Sequence, residues 1–380
     1  MTEQSVFANN TGILDDEVEE VRKLIGVPMR IKQWNLEASI DGIRHYAHGL
    51  GDANPLYTEE EYGATSSWGS VVAPPTFLYA IWPPGVGPGF PGLQAFYAGC
   101  RWELNRYVRP GERIFAESKM TELLDKQGKR AGRMLIQKGE TVYRTADGEV
   151  VGTNYSRAFR IPRPSAGGGL NYGAKPPHPW TLDEIIAMED EVLAQTRRGA
   201  EPRYWEDTKV GDRLQDRLKG PLDQSTMITY YAGNLGGNAS TDIAIRNRHV
   251  ARTRPDLVPN NRPAEILAER TAYGQGHHDP KVAASVGMPG VYDNGYMRIG
   301  WAQQLVTDWM GDDAFLRSLD CSINLPNVLG DTVRYRGTVS RVYEQAGEHL
   351  VDIDITYSRQ DEELSGKGTA TVRLPSRNAA

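Results

Sequence analysis

From Gly295 onward the apolar residues Met297, Trp301, Leu305 and Trp309 recur every four positions. This spacing predicts a helix with one apolar stripe. A shorter pattern, Phe77, Leu78, Ile81 and Trp82, is cut off by the prolines of "PPGVGPGFPG". After each helix pattern the chain alternates apolar and polar residues, which predicts strands. In the first half these are "ERIFAESKMTELL", "GRMLIQKGETVYRT" and "EVVGTNYSRAFRI", the last two joined by the turn "ADGE" as a hairpin. In the second half they are "DTVRYRGTVSRVYEQ", "EHLVDIDITYSRQ" and "GKGTATVRL". Between the halves, Arg160 to Trp180 is dominated by glycine and proline and reads as a linker. A helix is predicted from Thr181 to Gly199, with Thr181 as cap, acids in the first turn and Arg197 and Arg198 in the last.

The two halves read as diverged copies of one unit. Tyr46-Ala47 matches Tyr231-Ala232 and Gly51 matches Gly236, an offset of 185. Gly111 matches Gly330 at an offset of 219, so the second half carries 34 additional residues between Gly237 and His277. A long insertion beside a presumed site reads as a lid or binding loop. Each unit is a helix and loop, a central apolar helix, then antiparallel strands. The expected fold is therefore α+β, a sheet wrapped around one helix, repeated twice. The expected domains are 18–162, a linker with connecting helix at 163–199, and 200–376 with the inserted segment 238–274.

Composition narrows the function. The 380 residues carry a net charge of −6, which gives no support to nucleic-acid binding. No apolar run approaches the roughly 18 residues a membrane helix needs, and the N-terminus has no secretory pattern. The two cysteines, Cys100 and Cys321, are far apart and form no metal spacing, which fits a cytoplasmic protein. The glycines at 167–169 lack the lysine of a phosphate loop, no Gly-x-Ser-x-Gly elbow occurs, and the histidines form no metal set.

The stretches "YAHGLGDANPLYTEEEY" and "VVAPPTFL" resemble the fatty-acid-synthase-type N-terminal dehydratase domain. "HHDPKVAASVGMPGVYDNG", "WAQQLVTDWMGDD" and "PNVLGDTVRYRGTV" resemble a MaoC domain. The chain thus resembles the MaoC-like hydratase/dehydratase family in its double-hotdog form, over nearly its whole length after Val18. The resemblance implies reversible addition of water to a trans-2-enoyl-CoA thioester. It implies no cofactor besides the CoA of the substrate, and a homodimer or higher homo-oligomer. The family motif is Asp-x-Asn-x-x-His, followed by His-Gly at the head of the central helix. The Asp and His activate water, and the glycine amide polarises the thioester carbonyl. A helix N-terminus suits the enolate charge that develops there.

Neither half carries the full motif. The first keeps Asp52 and Asn54, but Tyr57 stands in place of the histidine and Pro74-Pro75 in place of His-Gly. Asp52 and Asn54 read equally as caps of a turn. The second half keeps His277 and Gly295, with Asn294 replacing the second histidine. No aspartate sits five residues before His277, and Asn238, Asp242 and Asp279 are the candidate substitutes. The expected catalytic group is His277, Asn238 and Gly295, with His278, Asp279, Asn294, Tyr292, Arg298, Asp52, Asn54 and Tyr57 around the substrate. Blander readings stand beside several of these. Asp279 caps the helix "PKVAAS", Asp293 and Asn294 cap the central helix, and Tyr292 and Tyr296 pack in the core. Arg298 meets a CoA phosphate or a substrate carboxylate, or makes a surface ion pair. Loss of catalytic groups in the first half leaves room for a bulky acyl chain. The competing functions are a non-catalytic partner of a separate small MaoC protein and a hotdog thioesterase.

Overall fold

The computed structural model describes residues 12–378 except 30, 32, 85–86, 91–92, 129–130, 163–169, 235–241, 243–244, 247–248, 251–252 and 255–275. The expected lid segment and Asn238 therefore lie largely outside the described residues. In the first half, β1 (Gln94–Leu104), β2 (Ile114–Gly128), β3 (Gly132–Thr145) and β4 (Val150–Ile161) are all antiparallel neighbours in the order β2-β3-β4-β1. The second half contributes β5 (Arg217–Lys219), β6 (Phe315–Ile323), β7 (Val333–Gln345), β8 (Glu348–Arg359) and β9 (Leu364–Arg373), in the order β6-β9-β8-β7-β5. The two sets join through β1 and β6 into one nine-stranded sheet. At the seam Cys100 lies opposite Cys321, and Gly99 lies opposite Ser322. A Cβ on Gly99 would fall 2.0 Å from the Cys321 carbonyl oxygen, so the closeness of these strands requires glycine.

The helix expected after Gly295 runs from Gly295 to Met310 and packs on β6, β7 and β1, strands of both halves. Its apolar stripe is buried as the spacing predicts, but so is every residue from Met297 to Met310. The counterpart in the first half is shorter than its apolar pattern suggested. A 3₁₀ turn, Pro75–Phe77, leads into a single helical turn, Leu78–Ile81. Prolines on both sides deny it amide donors and the room to continue. The matched glycines Gly111 and Gly330 both hold left-handed turns, with φ of 84° and 87°. The chain is thus an α+β double hotdog.

Three other differences have local causes. β1 and β6 were not read as strands, because neither alternates cleanly in burial. Arg160 belongs to β4 rather than to the linker, and its buried guanidinium binds Gln137 and the Gly87 carbonyl. The helix capped by Thr181 ends at Leu193, so Arg197 and Arg198 lie beyond it, bonded to Asp308 at the end of the central helix. Among the described residues no helix is long and apolar enough to cross a membrane.

Two helices that the repeat relates, Ile40–Leu50 and Gln224–Gly233, pack against each other. They meet where Gly49 and Gly233 leave no side chain between the backbones. A Cβ on Gly233 would lie 2.3 Å from the His45 carbonyl oxygen and 2.9 Å from the Gly49 Cα. Gly233→Ala is expected to force the helices apart and to cost about 1–3 kcal/mol, the usual range for overpacking. Urea unfolding with an unchanged midpoint would show that the crossing tolerates a methyl group.

Candidate active site

The head of the central helix is built by the eighteen residues before it. Asp279 is the N-cap of the helix Pro280–Ser285, its carboxylate accepting from the Lys281 and Val282 amides. That explains the aspartate after the histidine pair: the cap ends the turn carrying His277 and His278. The chain then passes Tyr292 and enters the central helix through Asn294, whose side chain accepts from the Tyr296 amide at 2.9 Å. The cap therefore occupies the Tyr296 amide and leaves that of Gly295 out of the capping bond.

The entry is locked from below. Arg298 donates to both oxygens of Asp293, at 2.6 Å from Nε and 2.5 Å from Nη2. It also donates to the Leu325 carbonyl, while Asn327 donates to Asp293 at 2.9 Å. Arg298 and Asp293 are both buried. Arg298 thus faces the core, and neither a CoA phosphate nor a surface partner is its role. Its helix position points it at the sheet, where the carboxylate five residues earlier meets it.

His277 Nδ1 lies 2.9 Å from the Tyr292 carbonyl oxygen. A carbonyl only accepts, so Nδ1 carries the proton and the neutral ring keeps its lone pair on Nε2. Tyr292 meets the imidazole edge-on at 4.4 Å, and Tyr231 flanks it at 6.4 Å. Burial pushes the His277 pKa below 6.5, against the opposing pull of the Tyr292 carbonyl. His278 points elsewhere: its Nδ1 lies 3.2 Å from Gln224 Nε2, and its ring 4.9 Å from that of Tyr231.

The Tyr231 hydroxyl accepts from Asn294 Nδ2 at 3.1 Å, which ties the second half's first helix to the head of the central one. Sequence reasoning used Tyr231 only as a marker of the repeat. The first half supplies a wall. Tyr97 of β1 meets Tyr296 with ring centroids 4.5 Å apart and planes tilted at 60°, and the Tyr296 hydroxyl donates to the Pro84 carbonyl. A Cβ on Gly295 would lie 2.8 Å from Tyr97, so glycine is needed there for contact with the other half as well.

The expected aspartate partner is not among these groups. Asn238 lies outside the described residues. Asp242 is exposed, and the Asp279 carboxylate is engaged by its two amides. Asp293 is close enough to influence His277 but is held by Arg298 and Asn327.

The motif remnant of the first half lies at the opposite end of the central helix. Asp52 accepts from the Asn54 amide, and Asn54 caps the turn Pro55–Thr58 by accepting from Leu56. Tyr57 is buried beneath them. These contacts are those of a structural turn. The second Asp52 oxygen is buried with no hydrogen-bond partner among the described residues. Burial and the nearby Asp308 raise the Asp52 pKa to about 6, while burial lowers Lys219 to about 8. Asp52, Asn54 and Tyr57 are thus separated from His277 by the length of the helix, and they do not share its site.

Because the folded protein holds His277 neutral below the pH at which the unfolded chain protonates it, unfolding takes up a proton as pH falls below 6.5. The contribution of this histidine to stability is expected to be whole above 6.5 and to decline as pH drops toward its folded value. An NMR titration should place the His277 midpoint below 6.5, with the Nδ1–H tautomer at pH 7. A midpoint at or above 6.5 would show that the ring is not desolvated. Arg298→Ala, which leaves Asp293 buried and unpaired, is expected to cost about 3–5 kcal/mol in denaturant unfolding. A loss under about 1 kcal/mol would mean that the pair does not anchor the helix head.

Comparison with known proteins fits this architecture. Residues 23–154 match the family described as FAS1-like, dehydratase domain region. A UPF0336 protein of Streptomyces avermitilis is 30% identical over 89 residues, 22% of this chain and 59% of that protein. The chain thus matches a little over half of that relative's length. The beta subunit of 3-oxo-4,17-pregnadiene-20-carboxyl-CoA hydratase from Mycobacterium tuberculosis is 29% identical over 133 residues, 34% of this chain and 98% of the subunit. Among solved structures, a MaoC-like dehydratase superposes with a TM-score of 0.62 at 15% identity, covering 93% of this chain and 100% of that one. A MaoC domain protein dehydratase from Chloroflexus aurantiacus gives 0.54 at 13% identity, covering 93% and 96%. The chain is therefore a double-hotdog protein by fold, and residues 23–154 of its first half match the FAS1-like dehydratase region.

Proposed function

We propose that the chain adds water reversibly to a trans-2-enoyl-CoA thioester at the head of the central helix, with His277 as the proton-transfer group and Gly295 as the oxyanion donor. The observation that carries this reading is the fixed tautomer of His277: the Tyr292 carbonyl at 2.9 Å leaves Nε2 as a base, in a site that keeps the ring neutral at pH 7.

In the hydration direction, Nε2 takes a proton from water as the water oxygen bonds to the β-carbon. The π electrons of the double bond shift onto the thioester oxygen, giving an enolate. The Gly295 amide and the positive end of the helix hold that charge. The proton is then delivered to the α-carbon as the enolate collapses, and the thioester remains intact. The first half supplies Tyr97, which forms a wall with Tyr296 of the central helix, and its loss of catalytic groups gives space for a bulky acyl group.

A second reading is favoured by one observation: among the described residues no unengaged carboxylate meets His277. On that reading the chain is a subunit that needs a small MaoC partner to complete the site. The Mycobacterium tuberculosis relative is itself named a beta subunit, which supports this alternative.

His277→Ala is expected to lower hydration at least ~100-fold, the low end for a positioned acid–base group. The assay follows loss of enoyl absorbance with the pure chain and intact folding. Unchanged turnover would remove His277 from the chemistry. Wild-type turnover only after addition of a MaoC partner would select the second reading, and release of free CoA would select a thioesterase. Turnover confined to short linear enoyl-CoAs would contradict the bulky-acyl proposal.

A further inference from the structure

At the far end of the central helix from Gly295 lies a cavity of about 550 Å³ with an unusual charge. Asp308, on its wall, is thirteen residues along the helix from Gly295, about 20 Å at roughly 1.5 Å per residue. Five arginines line it, Arg197, Arg198, Arg203, Arg213 and Arg217, against only three carboxylates, Glu201, Asp212 and Asp308. The chain as a whole carries −6, so a local excess of two positive charges runs against its average.

Not all of these arginines are spoken for. Asp308 is shared by Arg197 at 3.1 Å and Arg217 at 2.9 Å, and Glu201 pairs with Arg198 at 3.0 Å. Arg203 has no carboxylate within ion-pair distance among the described residues. It donates from Nε to the Trp309 carbonyl at 2.8 Å and stacks 4.4 Å above that indole. Arg213 is exposed, and no carboxylate pairs with it among the described residues. Arg217 is almost wholly buried, yet its Nε has no acceptor among the described residues.

The arrangement also neutralises the feature that would repel an anion here. A helix C-terminus presents negative carbonyl ends. Here the Asp308 carbonyl is taken by the Arg198 amide and the Trp309 carbonyl by Arg203. The arginines come from the connector after the Thr181-capped helix, from the loop at Arg203 and from the start of the second half, so the cavity is assembled by three segments. Guanidinium groups set at several angles match the oxygens of phosphoryl groups through paired donors. The volume falls in the range of small-molecule sites, roughly 300–1,000 Å³.

We infer that this cavity binds a small anion bearing at least two phosphoryl groups, at a site separate from the one proposed at His277. The ligand would pair with Arg203 and Arg213, with Arg217 adding positive charge at the cavity wall. Burial beside Arg198 already lowers the Arg203 pKa to about 10, and a bound anion would relieve that stress.

The test is calorimetric titration of the full chain with inorganic pyrophosphate, at low salt and again at 0.3 M salt. The expected result is one saturable site per chain whose affinity weakens with salt. The double variant Arg203→Gln/Arg213→Gln should bind at least 10-fold more weakly. Arg213→Gln alone, an exposed position, should weaken binding without any change in melting temperature. Adenosine 3′,5′-bisphosphate serves as the second arm. If it competes with pyrophosphate, and does so equally in His277→Ala, the source is a nucleotide. If only pyrophosphate binds, the source is an inorganic or sugar-type phosphate. The inference is overturned if pyrophosphate gives no saturable heat, or if the double variant binds as tightly as wild type while folded. Failure of hydration activity would leave this result unaffected, since the titration does not depend on turnover.

Discussion

The structure depends on swallowing one helix whole. Every residue from Met297 to Met310 is buried, although the helix carries Arg298, Gln303, Gln304, Thr307 and Asp308 among its apolar residues. A buried polar group without a partner costs about 1–3 kcal/mol, and a charge costs more. Each polar side chain is therefore met, Thr307 within the helix by Gln303 and the Gln304 carbonyl, and the others from different parts of the chain. Arg298 meets Asp293, and Gln303 meets Thr76 of the first half. Gln304 meets Lys219 on β5, and Asp308 meets Arg197 and Arg217. The Trp301 indole donates to the Leu50 carbonyl. Burying this helix thus draws the two halves, the connector and the short edge strand together.

That constraint makes the two ends of the helix unequal. At the head the Asp293–Arg298 pair fixes the entry, Asn294 caps it, and His277 hangs from the Tyr292 carbonyl just ahead of it. At the tail the chain turns into a cluster of charges around Asp308, Lys219 and Asp52. Where the proposed chemistry would occur, the second half supplies the histidine and glycine and the first supplies Tyr97 as wall. At the corresponding stretch of the first half, Asp52 and Asn54 make turn contacts, and Arg197 lies nearby.

Much of this was legible in the residues, and the limits have physical causes. The outer strands alternate because one face meets the core and the other meets water, and their pattern shows it. β1 and β6 carry register shifts, between Tyr97 and Gly99 and between Leu316 and Ser318, and their burial does not alternate cleanly, so their pattern is blurred. The central helix was visible through Met297, Trp301, Leu305 and Trp309, but not its all-round burial. Nothing in sequence marked Arg298 as a core residue, since its partners Asp293 and Asn327 converge only on folding. The capping role of Asp279 was readable from Pro280 beside it. The partner of His277 was not readable, because an insertion separates the histidine from the place where the motif puts its aspartate.

The central claim is that chemistry belongs to the head of the buried helix in the second half, and that the first half's motif remnant is structural. The most direct measurement is a crystal structure of the chain with a bound 3-hydroxyacyl-CoA. The account predicts the thioester oxygen within hydrogen-bond distance of the Gly295 amide, and the 3-hydroxyl within the same reach of His277 Nε2. A thioester seated against Asp52 and Tyr57, with His277 unoccupied, would contradict it.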